Sequence, residues 1–239
     1  MADIVQLHIL KQGRQAWIAW REKNPSAKVD LRQADLRGAD LSVLDLHSAD
    51  FSGADLNNAD IEGSLLINAF FREAGLQGAN FFESELDGAD FHSADLRGAC
   101  FTQATLDKAV FTGANLEEAD LSEAFLEEAN LEGARLRQAV LASARLIRTN
   151  LKNADVRGVN FSEALLIGVD MRGANLSDAN LSKANWSGIG LSGPHLPDPA
   201  LTNLRGAIFT GADLSKADLR GVDLTGVDLT GALLEGTLF

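Results

Sequence analysis

From Asp30 to about Gly190 a Leu or Phe returns at nearly every fifth residue: Leu31, Leu36, Leu41, Leu46, Phe51, Leu56 and onward. The residue two places earlier is nearly always Ala (Ala34, Ala39, Ala49, Ala54, Ala59), and the one between is usually Asp or Asn. A period of five suits neither regular element. On an α-helix five residues turn through about 500°, which would spread the large side chains around the axis. On a strand the odd spacing would send them to alternating faces. The chain must therefore turn a corner every five residues and return to the same orientation. One short unit repeated at fixed spacing is the mark of a solenoid.

Two features give the number of corners in a coil. Phe71, Phe81, Phe91, Phe101 and Phe111 recur every ten residues, with Leu76, Leu86, Leu96 and Leu106 between them. An even-sided coil stacks Phe on two opposite faces and Leu on the other two, whereas a three-sided coil scatters them. The Asp/Asn position also fails at Leu65, Glu85, Thr105, Phe125, Arg145 and Leu165, each twenty residues from the next. Other failures (Phe70, Gly75, Cys100, Val110, Arg135, Val140) are scattered over the remaining positions. Four repeats thus make one coil.

The Ala-(Asp/Asn)-(Leu/Phe)-x-x unit, as in Ala39-Asp40-Leu41-Ser42-Val43, Ala114-Asn115-Leu116-Glu117-Glu118 and Ala212-Asp213-Leu214-Ser215-Lys216, resembles the pentapeptide repeat family. The segment Trp17-Ile18-Ala19-Trp20-Arg21 before Asn24-Pro25 is similar to helical leaders of bacterial members, cyanobacterial ones among them. The resemblance implies an all-β solenoid, a right-handed quadrilateral parallel β-helix, with Ala and the central Leu or Phe pointing inward. It also brings functions as expectations. Some members imitate DNA and bind DNA gyrase, giving quinolone resistance; others regulate differentiation or stress responses in cyanobacteria. Members of the gyrase type carry a C-terminal helical segment for dimerisation that this sequence does not show.

Residues 1–29 stand outside the beat and read as an N-terminal helical cap. Asp3 suits an N-cap, with Ile4, Leu7 and Leu10 expected on one face. Gly13 is a break, and a second helix runs from Arg14 to about Lys23, where Asn24-Pro25 ends it. Trp17 and Trp20, three apart, point the same way and are placed to cover the first coil, whose backbone groups would otherwise be open. Residues 30–239 form the repeat domain, about ten coils and a rod of about 50 Å. One irregular loop falls at about 192–203, where Pro194, Pro197 and Pro199 cluster. From Leu191 to Leu204 is thirteen residues where ten would keep time, which reads as a three-residue insertion. At the far end Leu233, Leu234, Leu238 and Phe239 are placed to pair in a homodimer through the C-terminal coil.

Composition narrows the function. The single Cys100 excludes a disulfide framework and fits a reducing compartment, with cytoplasm the expected location. No apolar run approaches the roughly 18 residues of a membrane span. The net charge of −13 disfavours direct nucleic-acid binding, and residues 31–140 alone hold 7 basic and 21 acidic side chains. No HExxH, paired-Cys, P-loop or GxSxG pattern occurs, and His8, His47, His92 and His195 lie far apart on a rod. No cofactor or metal site is expected; carboxylates one coil apart read as solvated charge.

What remains is surface. The failing column carries Leu65, Phe125, Arg145 and Leu165, with Ile67, Ile147 and Ile167 two residues on and Glu85, Asp87, Asp107, Glu127 and Glu128 in the middle. These positions are expected to form an exposed patch, apolar at Phe125, Ile147, Leu165 and Ile167 and bordered by Arg145 and Arg148, that meets a protein partner. Arg32, Arg72, Lys152, Arg172 and Arg37, Arg97, Arg137, Arg157 are expected mostly to pair with neighbouring carboxylates. The reading is a non-enzymatic interaction or scaffold module.

Overall fold

The computed structural model describes residues 2–187 and 202–239. Each five-residue unit is a corner. The Ala N–H that follows a central residue donates to that residue's carbonyl, as from Ala54 to Phe51 and from Ala114 to Phe111, both at 2.9 Å. The third residue of the turn has positive φ at every corner from Gln33 to Lys183, between +53° and +68°. Glycine fills fewer than half of these positions; Asn, Gln, Glu, Ser and Lys take most of the others, all able to enter the left-handed region.

Four corners close a coil. Asp30 pairs in parallel with Asp50, Asp35 with Asp55, Asp40 with Asp60 and Asp45 with Leu65. Repetition builds four columns, called first to fourth in that order. Hydrogen bonds tie coil to coil, such as Leu46 N–H to Leu65 C=O and Leu65 N–H to Leu44 C=O, both 2.9 Å. The central residues and the Ala residues before them are almost all fully buried as far as Leu219. Phe51, Phe71, Phe91 and Phe111 stack in parallel inside the first column, ring centroids 4.8–5.0 Å apart. Phe81 and Phe101 stack at 4.7 Å inside the third and meet the first set edge-on at 5.7–6.0 Å. The period of ten in Phe is therefore a pair of facing aromatic stacks.

Among the described residues one step breaks register. Asp170 pairs with Asn203, Asn175 with Ile208, Asn180 with Asp213 and Asn185 with Asp218. Each step spans 33 residues where the others span 20, so thirteen residues are extra. This corrects the expected three-residue insertion. That count gave Leu191 a corner, whereas Asn203 takes the next place in the first column after Asp170. The expected loop at 192–203 lies outside the described residues except for Thr202 and Asn203. Register returns to twenty from Ile208 to Asp228.

Two helices precede the coils, α1 (Ile4–Lys11) and α2 (Arg14–Lys23). Asp3 caps α1 by accepting the N–H groups of Val5 and Gln6, and Gly13 at φ +97° starts α2. Their polar groups meet the open edge of the first coil. Asp3 N–H donates to Asp30 C=O at 2.8 Å, Gln6 accepts Asp30 N–H and donates to Lys28 C=O, and the Trp17 indole donates to Asp45 C=O at 3.1 Å. Trp17 is fully buried and lies 4.9 Å from Trp20 between ring centroids. The expected apolar face of α1 differs in one respect: Ile4 is 79 % exposed, and Gln6, which answers backbone groups, is buried instead.

Candidate interaction site

The Asp or Asn before each central residue has a specific task. Its Oδ1 accepts the backbone N–H two residues on, inside the corner: Asp40 from Ser42, Asp50 from Ser52, Asp90 from His92, Asp120 from Ser122, Asn160 from Ser162, all at 2.9–3.1 Å. This is an Asx turn, which satisfies a donor the coil-to-coil ladder leaves over. Much of the acidic charge is thus committed to corners.

The same carboxylates hold the cations. Arg32, Arg37, Arg97, Arg157, Arg172 and Arg220 pair with the Asp two residues before them, Arg72 with Asp90, and Lys152 with Glu132. The guanidinium groups lower the pKa of Asp30, Asp35, Asp95 and Asp155, and that of Asp218 to about 2. Arg145 sits instead over the ring of Phe125, 5.8 Å from its centroid.

The fourth column departs from this scheme between Asp45 and Asn185. Leu65, Phe125, Arg145 and Leu165 have no acceptor to offer the corner. The carboxylates of the neighbouring position compensate in part: Asp87 Oδ1 accepts Asp107 N–H at 3.0 Å, and Asp107 Oδ1 accepts Glu127 N–H at 2.8 Å. The second column repairs its gap at Gly75 the same way, with Asn57 Oδ1 taking Gln77 N–H. Asp87, Asp107 and Glu127 therefore stand in register. Burial, and then the Asp87 and Glu127 charges, raise the pKa of Asp107 against the opposing pull of the Glu127 N–H and Arg145.

The seven expected site residues separate into two sets. Leu65, Ile67 and Phe125 are 40 %, 36 % and 42 % exposed, Arg145 is exposed, and Leu165 is half-buried. Ile147 and Ile167 are 2 % and 0 % exposed. The expectation that these two contribute to an open apolar patch is corrected. The Thr202 hydroxyl accepts Gly168 N–H at 3.0 Å, one residue from Ile167, so residue 202 lies against this end of the face. Phe70, 38 % exposed with Arg72 over its ring, completes an apolar edge with Ile67 around one corner. It was readable as an aromatic at an outward position of the repeat.

No group of His, Cys, Asp and Glu among the described residues is arranged to hold a metal ion, and no described helix is long and apolar enough to cross a membrane. Hollows of about 410 and 300 Å³ lie where the helices meet the first coil. Their charged linings are Lys11, Asp35, Arg37 and Asp40 in one and Arg21, Glu22 and Asp45 in the other. Arg37 is paired with Asp35 and Arg21 with Asp45.

Pentapeptide repeats match residues 27–63, 54–92, 75–113, 89–127, 124–162, 157–193 and 201–236. The chain is 32 % identical to HetL, a pentapeptide repeat protein involved in heterocyst differentiation regulation in the cyanobacterium Nostoc sp. strain PCC 7120, over 92 % of both chains with a TM-score of 0.54. A trypsin-treated form of QnrB1, a plasmid-mediated fluoroquinolone resistance protein, is 25 % identical over 86 % of this chain and 87 % of its own, TM-score 0.48. The alr5209 pentapeptide repeat protein of Nostoc PCC 7120 is 28 % identical over 46 % of this chain and 83 % of its own, TM-score 0.34. No curated protein matches the chain. The chain belongs to the pentapeptide repeat family, whose members fold as right-handed quadrilateral β-helices.

Proposed function

We propose that this protein is a non-enzymatic protein-interaction module of the cytoplasm: a rod of about ten four-repeat coils, residues 30–239, covered at one end by residues 1–29. The observation that carries this reading is the fourth column. There the repeat forgoes its corner acceptor and exposes Leu65 and Phe125 in its place. A filled interior leaves the rod only its faces to work with. Leu65, Ile67, Phe125 and Arg145 are the contact residues, with Leu165 at the margin. Ile147 and Ile167 are buried and lie outside the contact surface. Self-association through the coil carrying Leu233, Leu234, Leu238 and Phe239, which are 39–63 % exposed, belongs to the same proposal; sedimentation on dilution, with and without Phe239→Asp, tests it.

The test of the face is capture from the native host by the wild type and by Leu65→Asn and Phe125→Asn. Both changes restore the residue type that the corner ordinarily uses, so melting temperature is expected to hold while capture of the partner falls. Unchanged capture removes the fourth column from consideration.

A second reading is favoured by the 32 % identity to HetL across 92 % of both chains: a regulator of cell differentiation in cyanobacteria. Expression in a heterocyst-forming filament is then expected to change heterocyst frequency. An unaltered pattern at verified protein levels rejects it. For the gyrase alternative the acidic charge is a weak argument, because the corners themselves require much of it.

A further inference from the structure

The fourth column between Leu65 and Phe125 alternates chemistry along the rod axis. Leu65 and Ile67 open it, Glu85 and Asp87 follow, Thr105 and Asp107 come next, and Phe125 and Glu127 close it, with Arg145 over the far side of the Phe125 ring. Leu65 and Phe125 are three coils apart, about 14 Å at about 4.8 Å per coil. Resting on the interaction-module reading above, we infer that this strip docks an extended, basic peptide segment with two large apolar side chains four residues apart and a Lys or Arg midway between them.

The spacing selects the conformation of the partner. An extended chain advances about 3.4 Å per residue, so residues four apart are about 13.6 Å apart and point to the same side. On an α-helix about 14 Å corresponds to roughly nine residues, which turns the second anchor to the opposite face. The residue midway in the extended segment points inward and arrives between Glu85, Asp87 and Asp107. These carboxylates have no ion pair with a cation of this chain among the described residues. Asp107 is held between like charges, and an incoming ammonium or guanidinium relieves that repulsion. The acidic centre thus excludes a purely apolar partner, and the exposed Leu65 and Phe125 distinguish the strip from the carboxylate-lined faces elsewhere.

The probe is a fluorescein-labelled peptide, Gly-Leu-Ser-Lys-Ser-Phe-Gly, titrated against the full chain by fluorescence anisotropy. Two comparison peptides carry one more Ser between Lys and Phe, or Glu in place of Lys. Saturable binding is expected for the first peptide alone, weakened at least about tenfold by Phe125→Asn or Leu65→Asn and severalfold by Asp107→Asn. Asp107→Asn keeps the amide oxygen that accepts Glu127 N–H, so the corner stays closed. Equal binding of all Lys peptides, indifference to the three variants, or no binding up to about 1 mM peptide overturns the inference. A photo-crosslinker placed at Phe125 and, separately, on the opposite column at Asn115 separates this failure from failure of the broader reading. Capture of a host protein only at Asn115 leaves an interaction module with another face, and capture at neither position rejects both.

Discussion

Ser64 stands where the repeat has Ala, and its hydroxyl does what the backbone there does not. It donates to Leu41 C=O at 2.7 Å and accepts Leu44 N–H at 3.2 Å, bridging a corner that Leu44 leaves without its usual hydrogen bond. Ser64→Ala is therefore expected to cost about 1–3 kcal/mol in urea unfolding, the range for stranding buried polar groups. Thr149→Ala should cost less, because Ala129 N–H already reaches Leu126 C=O, the carbonyl to which the Thr149 hydroxyl donates, so no buried N–H is stranded. Val43 is strained in the other direction: a β-branched residue at φ +57°, 60 % exposed. Val43→Gly is expected to stabilise by about 1 kcal/mol, raising the urea midpoint. Asp107 supplies a dependence on pH. Its pKa in the fold lies above the 3.8 of the unfolded chain, so the folded state binds the proton more tightly, and stability falls as pH rises through that folded value. Asp107→Asn should accordingly raise the midpoint at pH 7 and lose its advantage below about pH 3.8. That Leu, Phe and Ala point inward was legible through the resemblance to the pentapeptide repeat family, which the period of five carries. The Asx acceptors were not, since a sequence shows that Asp recurs but not which N–H it meets. The burial of Ile147 and Ile167 was equally hidden, because a period marks which positions face outward but not which of them other chain covers.

The helices are held to the first coil by a few polar contacts as well as by Trp17. Gln6 answers two backbone groups of the coil edge, and Arg21 reaches Ala27 C=O at 2.9 Å and Asp45 at 3.4 Å. Gln6→Ala is expected to lower stability by about 1–2 kcal/mol, and removal of residues 2–24 to cause larger loss with aggregation of the exposed coil edge. Light scattering on the truncated chain checks the second outcome, and a soluble, equally stable truncation contradicts it. Both helices were readable from Asp3, Gly13 and Asn24-Pro25, each a local signal. What docks them was not. Gln6 lies beside Ile4 and Leu7 in an apolar-looking run, and only the open edge of a coil gives its amide a purpose.

Along the rod, each coil touches its neighbours and little else, so stability is close to a sum over adjacent pairs. The coils from Phe51 to Phe111 carry the aromatic stacks, whereas Val222, Leu224, Val227 and Leu229 in the final stretch are only half-buried. Hydrogen exchange is expected to be slowest for the amides of Phe71, Phe81 and Phe91 and fastest after Leu219; uniform protection from end to end would contradict this. Four-sidedness was legible because Phe marks two columns and the missing Asp a third. The 33-residue step was not, because Leu191 keeps the beat by coincidence of spacing. That step has a consequence for how such a chain varies over generations. The columns resume in phase after thirteen extra residues, so alignment is set by the coil beneath and not by a tally kept along the chain. Duplication or loss of a twenty-residue unit should leave every face intact and change only the length of the rod, whereas a single-residue deletion within a corner would have to be absorbed there. Length is thus free to drift in whole coils while the message on each face is inherited unchanged.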